Sequence, residues 1–372
     1  MKYLAVLGRQ PKISLAELEA LFGQVVPISS DLAEFTTDNI PDIRRLGGTQ
    51  RIAAEITAKI TDFLKTLPNT GKVVIGVSDF TPGTNAFRAQ GEALKLKRFL
   101  VKNGHGVRVV PNKTAVLSSA TVYHNKLWSE TKFELIKFKK SYYHVVQVQN
   151  IDAYAERDQA RPARDAKVGM LPPKLAQILI NLCGDLPAGS RLLDPFCGTG
   201  VVLQEALLMG YTPYGTDLSE RMAEYTQRNL EWLINRARTD SPAQDFVITQ
   251  GDATSFQWEA PIDAVACEGY LGRPMSLPPA EVKLKQEKQE CRTIILGFLS
   301  NLSGQIAAGT PVVMAVPAWL RPNGTYERLN LLDEIQELGY NVKSFRNLGA
   351  DDLLYHRERQ VVAREIIVLR KK

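Results

Sequence analysis

Several features that would place this chain in other protein classes are missing or rare. It has only four cysteines among 372 residues, and no two form a CxxC pair, so the sequence suggests neither a zinc site nor a disulfide framework. The four histidines are scattered without metal-ligand spacing, and we expect no bound metal. No apolar run approaches the ~18–20 residues that span a bilayer. The apolar stretch at the N-terminus is too short for a signal peptide. We therefore expect a cytoplasmic protein without membrane contact.

Acidic residues are scarce in the first part of the chain. Residues 1–167 contain 25 Lys and Arg against 16 Asp and Glu, whereas the remainder contains 21 against 24. Within residues 95–140 eleven basic residues occur with only two acids, Glu130 and Glu134. This asymmetry predicts that one part docks a polyanion and the other modifies it. A solvated basic surface is the alternative.

The first 150 residues have the pattern of two small α/β units. In residues 1–70 a strand is followed by a helix over 14–23, with Ser14 as N-cap and Glu17 closing a capping box, and a second helix is predicted over 52–67. This order suggests a ferredoxin-like arrangement. Residues 71–150 form the second unit, and residues 151–170 are predicted to be a polar linker.

Two alternating stretches in the second unit predict a hairpin around residues 140–141. Its basic and aromatic residues interleave, which suits a nucleic-acid face. An edge hairpin with solvated lysines is the alternative, because lysines also protect edge strands from pairing. The residues concerned are Lys137, Lys139, Lys140, Tyr142 and Tyr143.

Residues 171–372 alternate regularly between strand and helix patterns. Two final strands without a helix between them predict an antiparallel hairpin at the edge of a mostly parallel sheet. The predicted fold class is thus α/β, with a Rossmann-like, mostly parallel seven-stranded sheet preceded by smaller α/β domains. The main strands are expected at about 190–194, 212–217, 245–249, 262–267 and 311–316.

The organising motif of this region is an apolar strand ending at Asp194, followed by the loop Phe196–Gly200 and a helix. Gly198 and Gly200 allow a ligand to approach the backbone, and Asp217 ends the next strand, where doubly wound folds hold ribose hydroxyls. Leu203 occupies the place of the third glycine of a dinucleotide motif. A nucleoside without a pyrophosphate therefore fits better than NAD.

The motif from Asp194 to Gly200, preceded by Arg161-Pro162 and by residues 169–173, resembles that of the THUMP-domain tRNA guanosine N2-methyltransferases, a class I S-adenosylmethionine-dependent family. Residues 71–150, with Gly106–Arg108 and Leu117–Ala120, look like the THUMP domain. The resemblance implies S-adenosylmethionine as cofactor and tRNA as partner; whether an activating protein is needed stays open.

The resemblance also implies roles for individual residues. Asp194 and the loop residues Phe196, Cys197, Gly198, Thr199 and Gly200 would take the methionine part of the cofactor. Asp217 would accept the ribose hydroxyls, and Asp252, after the third strand, would face the adenine amino group. The alternative is that these acids only cap local turns and helices. Expected RNA contacts are Arg108, Lys137, Lys139, Lys140, Arg161 and Arg164.

The fourth strand departs from the family pattern. Where Asp/Asn-Pro-Pro-Tyr is usual, this chain has Cys267-Glu268-Gly269-Tyr270. Glu268 can accept hydrogen bonds from a base amine and Tyr270 can stack on the base, so both are predicted catalytic residues. Methylation of another target such as adenine N6, or loss of activity in an RNA-binding protein, are the alternatives. Cys267 is interpreted as a small buried strand residue rather than a nucleophile.

Overall fold

The structure is a computed structural model that describes residues 1–68, 71–165, 170–237, 245–349, 351–358 and 360–372. Gly169, part of the family motif, lies outside the described residues. The helices are α1 (Pro11–Phe22), α2 (Ile60–Lys65), α3 (Ala86–Lys102), α4 (Ser119–His124), α5 (Ile151–Gln159), α6 (Pro173–Leu182), α7 (Val201–Leu208), α8 (Glu220–Ala237), α9 (Glu281–Ser303) and α10 (Leu332–Glu337).

The strands are β1 (Lys2–Leu7), β2 (Val25–Pro27), β3 (Leu32–Thr36), β4 (Thr49–Glu55), β5 (Lys72–Asp79), β6 (Gly106–Val109), β7 (Lys132–Phe138), β8 (Ser141–Val148), β9 (Arg191–Asp194), β10 (Thr212–Asp217), β11 (Val247–Gln250), β12 (Ala264–Glu268), β13 (Pro311–Leu320), β14 (Tyr326–Arg328), β15 (Tyr340–Val342), β16 (Leu354–Tyr355) and β17 (Val362–Lys371).

The chain forms two compact units, each of which is assembled from separate segments of the sequence. The first contains residues 1–11, 24–44 and 49–153, and the second contains residues 12–23, 45–48 and 154–372. The boundaries predicted at residues 70, 150 and 170 stay predictions. The predicted linker does contain a helix, α5, and so is not irregular throughout.

The first unit is built on one eight-stranded sheet with the order β2-β3-β1-β4-β8-β7-β5-β6. β5 runs parallel to both β6 and β7, and the other neighbouring pairs are antiparallel. The strands predicted for residues 1–70 and 71–150 meet where β4 pairs with β8. Both predicted segments therefore contribute to the same sheet.

The predicted helix over 52–67 was wrong. Residues 49–55 form the central strand β4, and only the short helix α2 follows. Ile52 and Ala53 are fully buried because β4 has a partner strand on each side, β1 and β8. This tertiary pairing outweighs the local helical pattern.

The predicted hairpin of the first unit is confirmed. Phe138 of β7 pairs with Ser141 of β8, and Lys139 at the turn has φ 55°, the left-handed conformation. The alternative of an edge hairpin was wrong, because β8 and β7 lie inside the sheet, between β4 and β5. Tyr143 is buried and its hydroxyl donates to Glu34 Oε1 at 2.6 Å, so it does not offer an exposed face for a base.

The second unit is built on a sheet with the order β11-β10-β9-β12-β13-β17-β15. The first five strands run parallel, and β17 pairs antiparallel with both β13 and β15. This is the predicted seven-stranded, mostly parallel sheet with an antiparallel edge, which is thereby confirmed. Two short strands, β14 and β16, extend it at β13 and β17.

Alternate residues of each strand bury themselves against two different helical layers. Leu192, Ala266 and Ile366 pack into a core with residues of α1, α6, α7 and α8 on one face. Leu193, Cys267 and Ile367 pack with α9 and α10 on the other. Asp194 and Glu268 follow two residues after members of the first set, so the period of two assigns both acids to the first face.

Helix α1 packs into the core of the second unit. The prediction of Ser14 as N-cap was wrong, since the helix begins at Pro11 and Ser14 is buried inside it. Glu17, expected in a capping box, is fully buried and its oxygens accept N–H groups from Gly47, Gly48 and Asn181 at 2.8–2.9 Å. The carboxylate thus joins α1, the residue 45–48 turn and α6.

Within the described ranges, every helix is too short or too polar to cross a membrane.

Candidate active site

The loop after β9 is shaped by two glycines with left-handed backbones. Gly198 has φ 53° and Gly200, the N-cap of α7, has φ 78°, a region that non-glycine residues rarely occupy. A Cβ on Gly200 would lie 2.8 Å from Thr226 Cγ2, whereas one on Gly198 would come no closer than 3.9 Å to atoms beyond its two chain neighbours. Gly200 therefore permits close packing on α8, and Gly198 leaves its outer side open to a ligand.

Asp194 is buried at the carboxyl end of β9. Its Oδ1 accepts the Phe196 N–H at 3.1 Å. Burial raises the pKa of Asp194 well above its usual range, the Phe196 N–H opposes this, and the charges of Asp217 and Glu268 raise the pKa further. The carboxylates of Asp217 and Glu268 thus lie close enough to Asp194 for their charges to act on it.

Asp217 fixes the glycine loop to the end of β10. Its Oδ2 accepts the Gly198 N–H and its Oδ1 accepts the Ser219 N–H, both at 2.9 Å. Burial raises the pKa of Asp217, while the two N–H donors lower it. The position agrees with the prediction of a strand-end acid beside the loop; its contact with a ribose stays a prediction.

Asp252 is exposed after β11. Its Oδ1 accepts both the backbone N–H and the hydroxyl of Thr254, at 2.9 and 2.7 Å, and the Thr254 hydroxyl bond lowers the pKa of Asp252. The backbone joins this turn to the end of β10, since Gly251 N–H donates to the Asp217 carbonyl at 2.9 Å. All three strand-end acids therefore accept local N–H groups, as the capping alternative expects, and their contact with a cofactor stays a prediction.

The other loop residues face mainly inward. Phe196 packs edge-on against Phe298 with ring centres 5.2 Å apart. Cys197 is buried, and Thr199 accepts the Asn229 amide at its carbonyl at 2.8 Å. Cys267 is fully buried and burial raises the pKa of its thiol well above the usual range. This agrees with its interpretation as a packing residue.

Glu268 at the end of β12 is paired with a residue that the sequence analysis missed. Its Oε1 accepts a hydrogen bond from Nε of Arg364, on β17. Arg364 is itself buried. A sequence signal existed, because Arg364 alternates with Ile366 and Val368 on the buried face of β17, where an unpaired charge is costly.

Tyr270 is held by helix α9. Its hydroxyl donates to Glu290 Oε1 at 3.0 Å, and burial together with this carboxylate raises the pKa of Tyr270 to about 12. Glu287, one turn earlier, is buried and accepts the Arg273 N–H at 3.1 Å. Two acids of α9 therefore fix the loop after β12, which contains none of the expected prolines.

Arg161 is not placed as predicted for an RNA contact. Its side chain has no solvent exposure, and its Nη2 donates to Met170 Sδ at 3.2 Å. Burial lowers the pKa of the guanidinium. A phosphate cannot reach a side chain enclosed in this way, so the prediction for Arg161 was wrong. Arg164 is exposed, with Nη1 donating to the Gln159 carbonyl at 2.8 Å.

The predicted RNA contacts of the first unit differ in availability. Lys139 and Lys140 are exposed, and Arg108 is exposed with one bond to Asn125. Lys137 is half-buried between Asp79 and Glu92, 3.6 and 3.5 Å from their carboxylates. Its charge is thus already balanced by two acids. RNA binding by these residues stays a prediction.

Parts of the chain are similar in sequence to known methyltransferases. Residues 161–268 match the family described as "UPF0020: RMKL-like, methyltransferase domain". The chain is 32% identical over 165 residues to a tRNA (guanine(10)-N2)-dimethyltransferase of Methanothermobacter thermautotrophicus, covering 44% of each chain. It is 33% identical over 144 residues to the Pyrococcus abyssi enzyme of the same name, covering 38% of this chain and 39% of that one. The matches thus span less than half of these relatives.

A solved structure shares the fold over the full length. TrmN from Thermus thermophilus superposes with a TM-score of 0.50 at 17% identity, covering 100% of both chains. At this identity the likeness concerns the fold alone. Together these similarities show a Rossmann-like methyltransferase fold in which residues 161–268 match the RMKL-like methyltransferase domain, and the aligned residues are similar to those of the tRNA (guanine(10)-N2)-dimethyltransferases.

Proposed function

We propose that this chain transfers a methyl group from S-adenosylmethionine to the exocyclic N2 amine of a guanosine in tRNA. The observation that carries the proposal is the convergence of Asp194, Asp217 and Glu268 at one edge of the sheet, beside the glycine loop. The curated relatives named as tRNA (guanine(10)-N2)-dimethyltransferases support the choice of substrate.

The charges at this edge fit a cationic nucleoside ligand. The carboxylates of Asp217 and Glu268 both raise the pKa of the buried Asp194, and the cation at this edge, Arg364, is paired with Glu268 rather than with Asp194 or Asp217. S-adenosylmethionine carries a sulfonium and an ammonium group, which would relieve this repulsion. Gly198 faces open space at the same loop, so backbone contact with the ligand is sterically possible.

When bound, S-adenosylmethionine supplies an electrophilic methyl group on a positively charged sulfur. Asp217 would hold the ribose hydroxyls, and Asp194 with the glycine loop would orient the methionine end. Glu268 Oε2 would accept a hydrogen bond from the N2 amine and so direct its lone pair toward the methyl group. Once the amine nitrogen carries the transferred methyl group, Glu268 or water would accept its surplus proton.

Tyr270 would hold the target base by stacking. Its hydroxyl is anchored by Glu290, which holds the ring just beyond the end of β12. A base removed from its helix gains about 1–3 kcal/mol by stacking on such a ring. Lys139 and Lys140 of the first unit would contact RNA phosphates, which position a structured RNA without reading its sequence.

Transfer of labelled methyl groups tests this proposal. The chain is incubated with labelled S-adenosylmethionine and unmodified tRNA transcripts, and the product nucleosides are separated. We expect label in N2-methylated guanosine, and about 100-fold or greater slowing in Asp217→Ala through lost cofactor binding. Label in N6-methyladenosine would show that the methyl acceptor is adenine N6 and not guanine N2. Cofactor binding without any label transfer would instead identify a non-catalytic RNA-binding protein.

A further inference from the structure

The final strand of the sheet contributes a charged residue to the proposed amine-binding site. Arg364 is 7% exposed, and the one hydrogen bond that its guanidinium makes within the described residues runs from Nε to Glu268 Oε1. In the register of β17, Arg364 lies opposite Pro317 of β13 and Tyr355 of β16. Glu268 pairs with Ala315, two residues before Pro317. Arg364 thus lies just past the end of β12, on the crevice side.

Because Arg364 is buried, its ion pair with Glu268 is needed to offset the cost of burying the charge. A guanidinium placed among apolar neighbours is costly unless it is matched by a carboxylate. Ile366 and Val368, on the same face of β17, are buried in the core. Arg364 precedes them on this face and lies at its crevice end. The charge of Glu268 compensates Arg364, and each residue fixes the other.

We propose that Arg364 is the residue that positions Glu268 for the reaction. It holds Oε1, and Oε2 has no hydrogen-bond partner in the described part of the chain. A glutamate has three side-chain torsions, so without this contact its carboxylate would sample several orientations. With Oε1 fixed, Oε2 is an acceptor of defined direction at the strand end. Such an acceptor can take one N–H of an exocyclic amine, as guanine offers at N2.

This inference rests on the proposed function, because it assigns Arg364 a role in orienting the amine. The test measures kcat, cofactor affinity and tRNA affinity for Arg364→Met, which keeps much of the volume, and for Arg364→Lys and Arg364→Ala. Arg328→Met is the matched control, because it breaks an Arg–Glu pair with Glu365 at 3.0 Å between β14 and β17, and Glu365, the neighbour of Arg364 in the strand, points to the opposite face of the sheet. Glu268→Gln and the double variant with Arg364→Met complete a thermodynamic cycle.

We expect kcat to fall about 10- to 100-fold in Arg364→Met, in the range of a lost charged hydrogen bond, with both affinities and the melting temperature close to those of the unchanged chain. Arg364→Lys should recover part of the loss, and added guanidinium ion should raise the activity of Arg364→Ala, which a purely structural role would not produce. The double variant should be no slower than Glu268→Gln alone, because both changes disable one unit.

The outcomes separate this inference from the proposed function. An unchanged chain that methylates guanosine, with losses that are additive in the double variant or equally large in Arg328→Met, overturns the positioning role alone. An unchanged chain that methylates adenine overturns the proposed substrate, while the same cycle on that reaction still decides the role of Arg364. An unchanged chain that transfers no methyl group overturns both.

Discussion

The buried carboxylate of Glu17 makes the stability of the second unit depend on pH. Burial raises the pKa of Glu17 from 4.5 to about 7, although hydrogen bonds from Asn181, Gly48 and Gly47 lower it. An acid whose pKa is raised by folding binds more protons in the folded than in the unfolded chain between these two values. Its contribution to the free energy of unfolding is therefore full below pH 4.5, falls as the pH rises, and is lost above about pH 7.

The magnitude follows from the size of the shift. Each unit of pKa corresponds to about 1.4 kcal/mol, so a rise from 4.5 to about 7 amounts to roughly 3 kcal/mol over this window. Glu17→Gln keeps the shape of the side chain and removes the titration. The free energy of unfolding of the unchanged chain, relative to that of the variant, should thus decline by about 3 kcal/mol from low to neutral pH.

Urea denaturation followed by tryptophan fluorescence at a series of pH values provides the measurement. Subtracting the variant from the unchanged chain cancels the titration of all other groups. Glu220→Gln, at the exposed start of α8, is the control for removing one surface carboxylate. A stability difference that stays constant across the window, or that grows with pH, refutes the reasoning that burial dominates the three N–H donors.

Three further predictions concern the cofactor site and the RNA surface. Asp217→Ala should abolish measurable cofactor binding by calorimetry, whereas Asp252→Ala, at an exposed turn, should weaken it less; equal effects would mean that the ribose site is misplaced. Gly200→Ala should lower the free energy of unfolding by at least about 1–2 kcal/mol, because a φ of 78° is strained for alanine and a Cβ would lie 2.8 Å from Thr226. The control Gly304→Ala should leave the free energy of unfolding unchanged, because Gly304 has φ −85° and its Cβ would meet nothing within 4 Å. Denaturation curves showing equal stability would contradict this. Reversing the charges of Lys139 and Lys140 should weaken RNA binding and reduce its salt slope by about 1–2, and the same change at the exposed Lys283 and Lys285 should not; an unchanged slope places the RNA elsewhere.

The parallel sheet and its glycine loop could be predicted because local pattern and tertiary role agree there. Asp194 to Gly200 has the strand, the turn glycines and the following helix in one continuous stretch. The same agreement holds for the hairpin of β7 and β8, whose period of two survives in the structure. Where the spacing of apolar residues matches the face that is buried, the sequence alone predicts the element correctly.

The failures lie where distant contacts decide. The residues of β4 have a helical pattern, but partner strands on both sides determine their conformation. Glu17 fits a capping box locally, yet its true partners are the Gly47-Gly48 turn and Asn181 on α6. Arg161 is basic and near other basic residues, but burial removes it from any RNA. None of these contacts leaves a periodic signal.

The proposed active site shows the same division. The acids at the strand ends follow from the fold, whereas the partners of Glu268 and Tyr270 come from β17 and α9, 96 and 20 residues further along the chain. The one sequence signal for such a partner was the charged Arg364, which alternates with the apolar Ile366 and Val368 along β17. The fourth-strand motif thus depends on side chains that a search for local motifs does not include.

The most direct test of the central claim is the position of the transferred methyl group on the base. A tRNA that the chain methylates is rebuilt with inosine, which lacks the N2 amine, in place of the target guanosine, and mass spectrometry of the digested nucleosides follows methyl transfer. We predict N2-methylguanosine from the guanosine tRNA and no methylation at the inosine position. Methyl transfer to the inosine-containing site at the same rate would contradict the assignment of the N2 amine as acceptor.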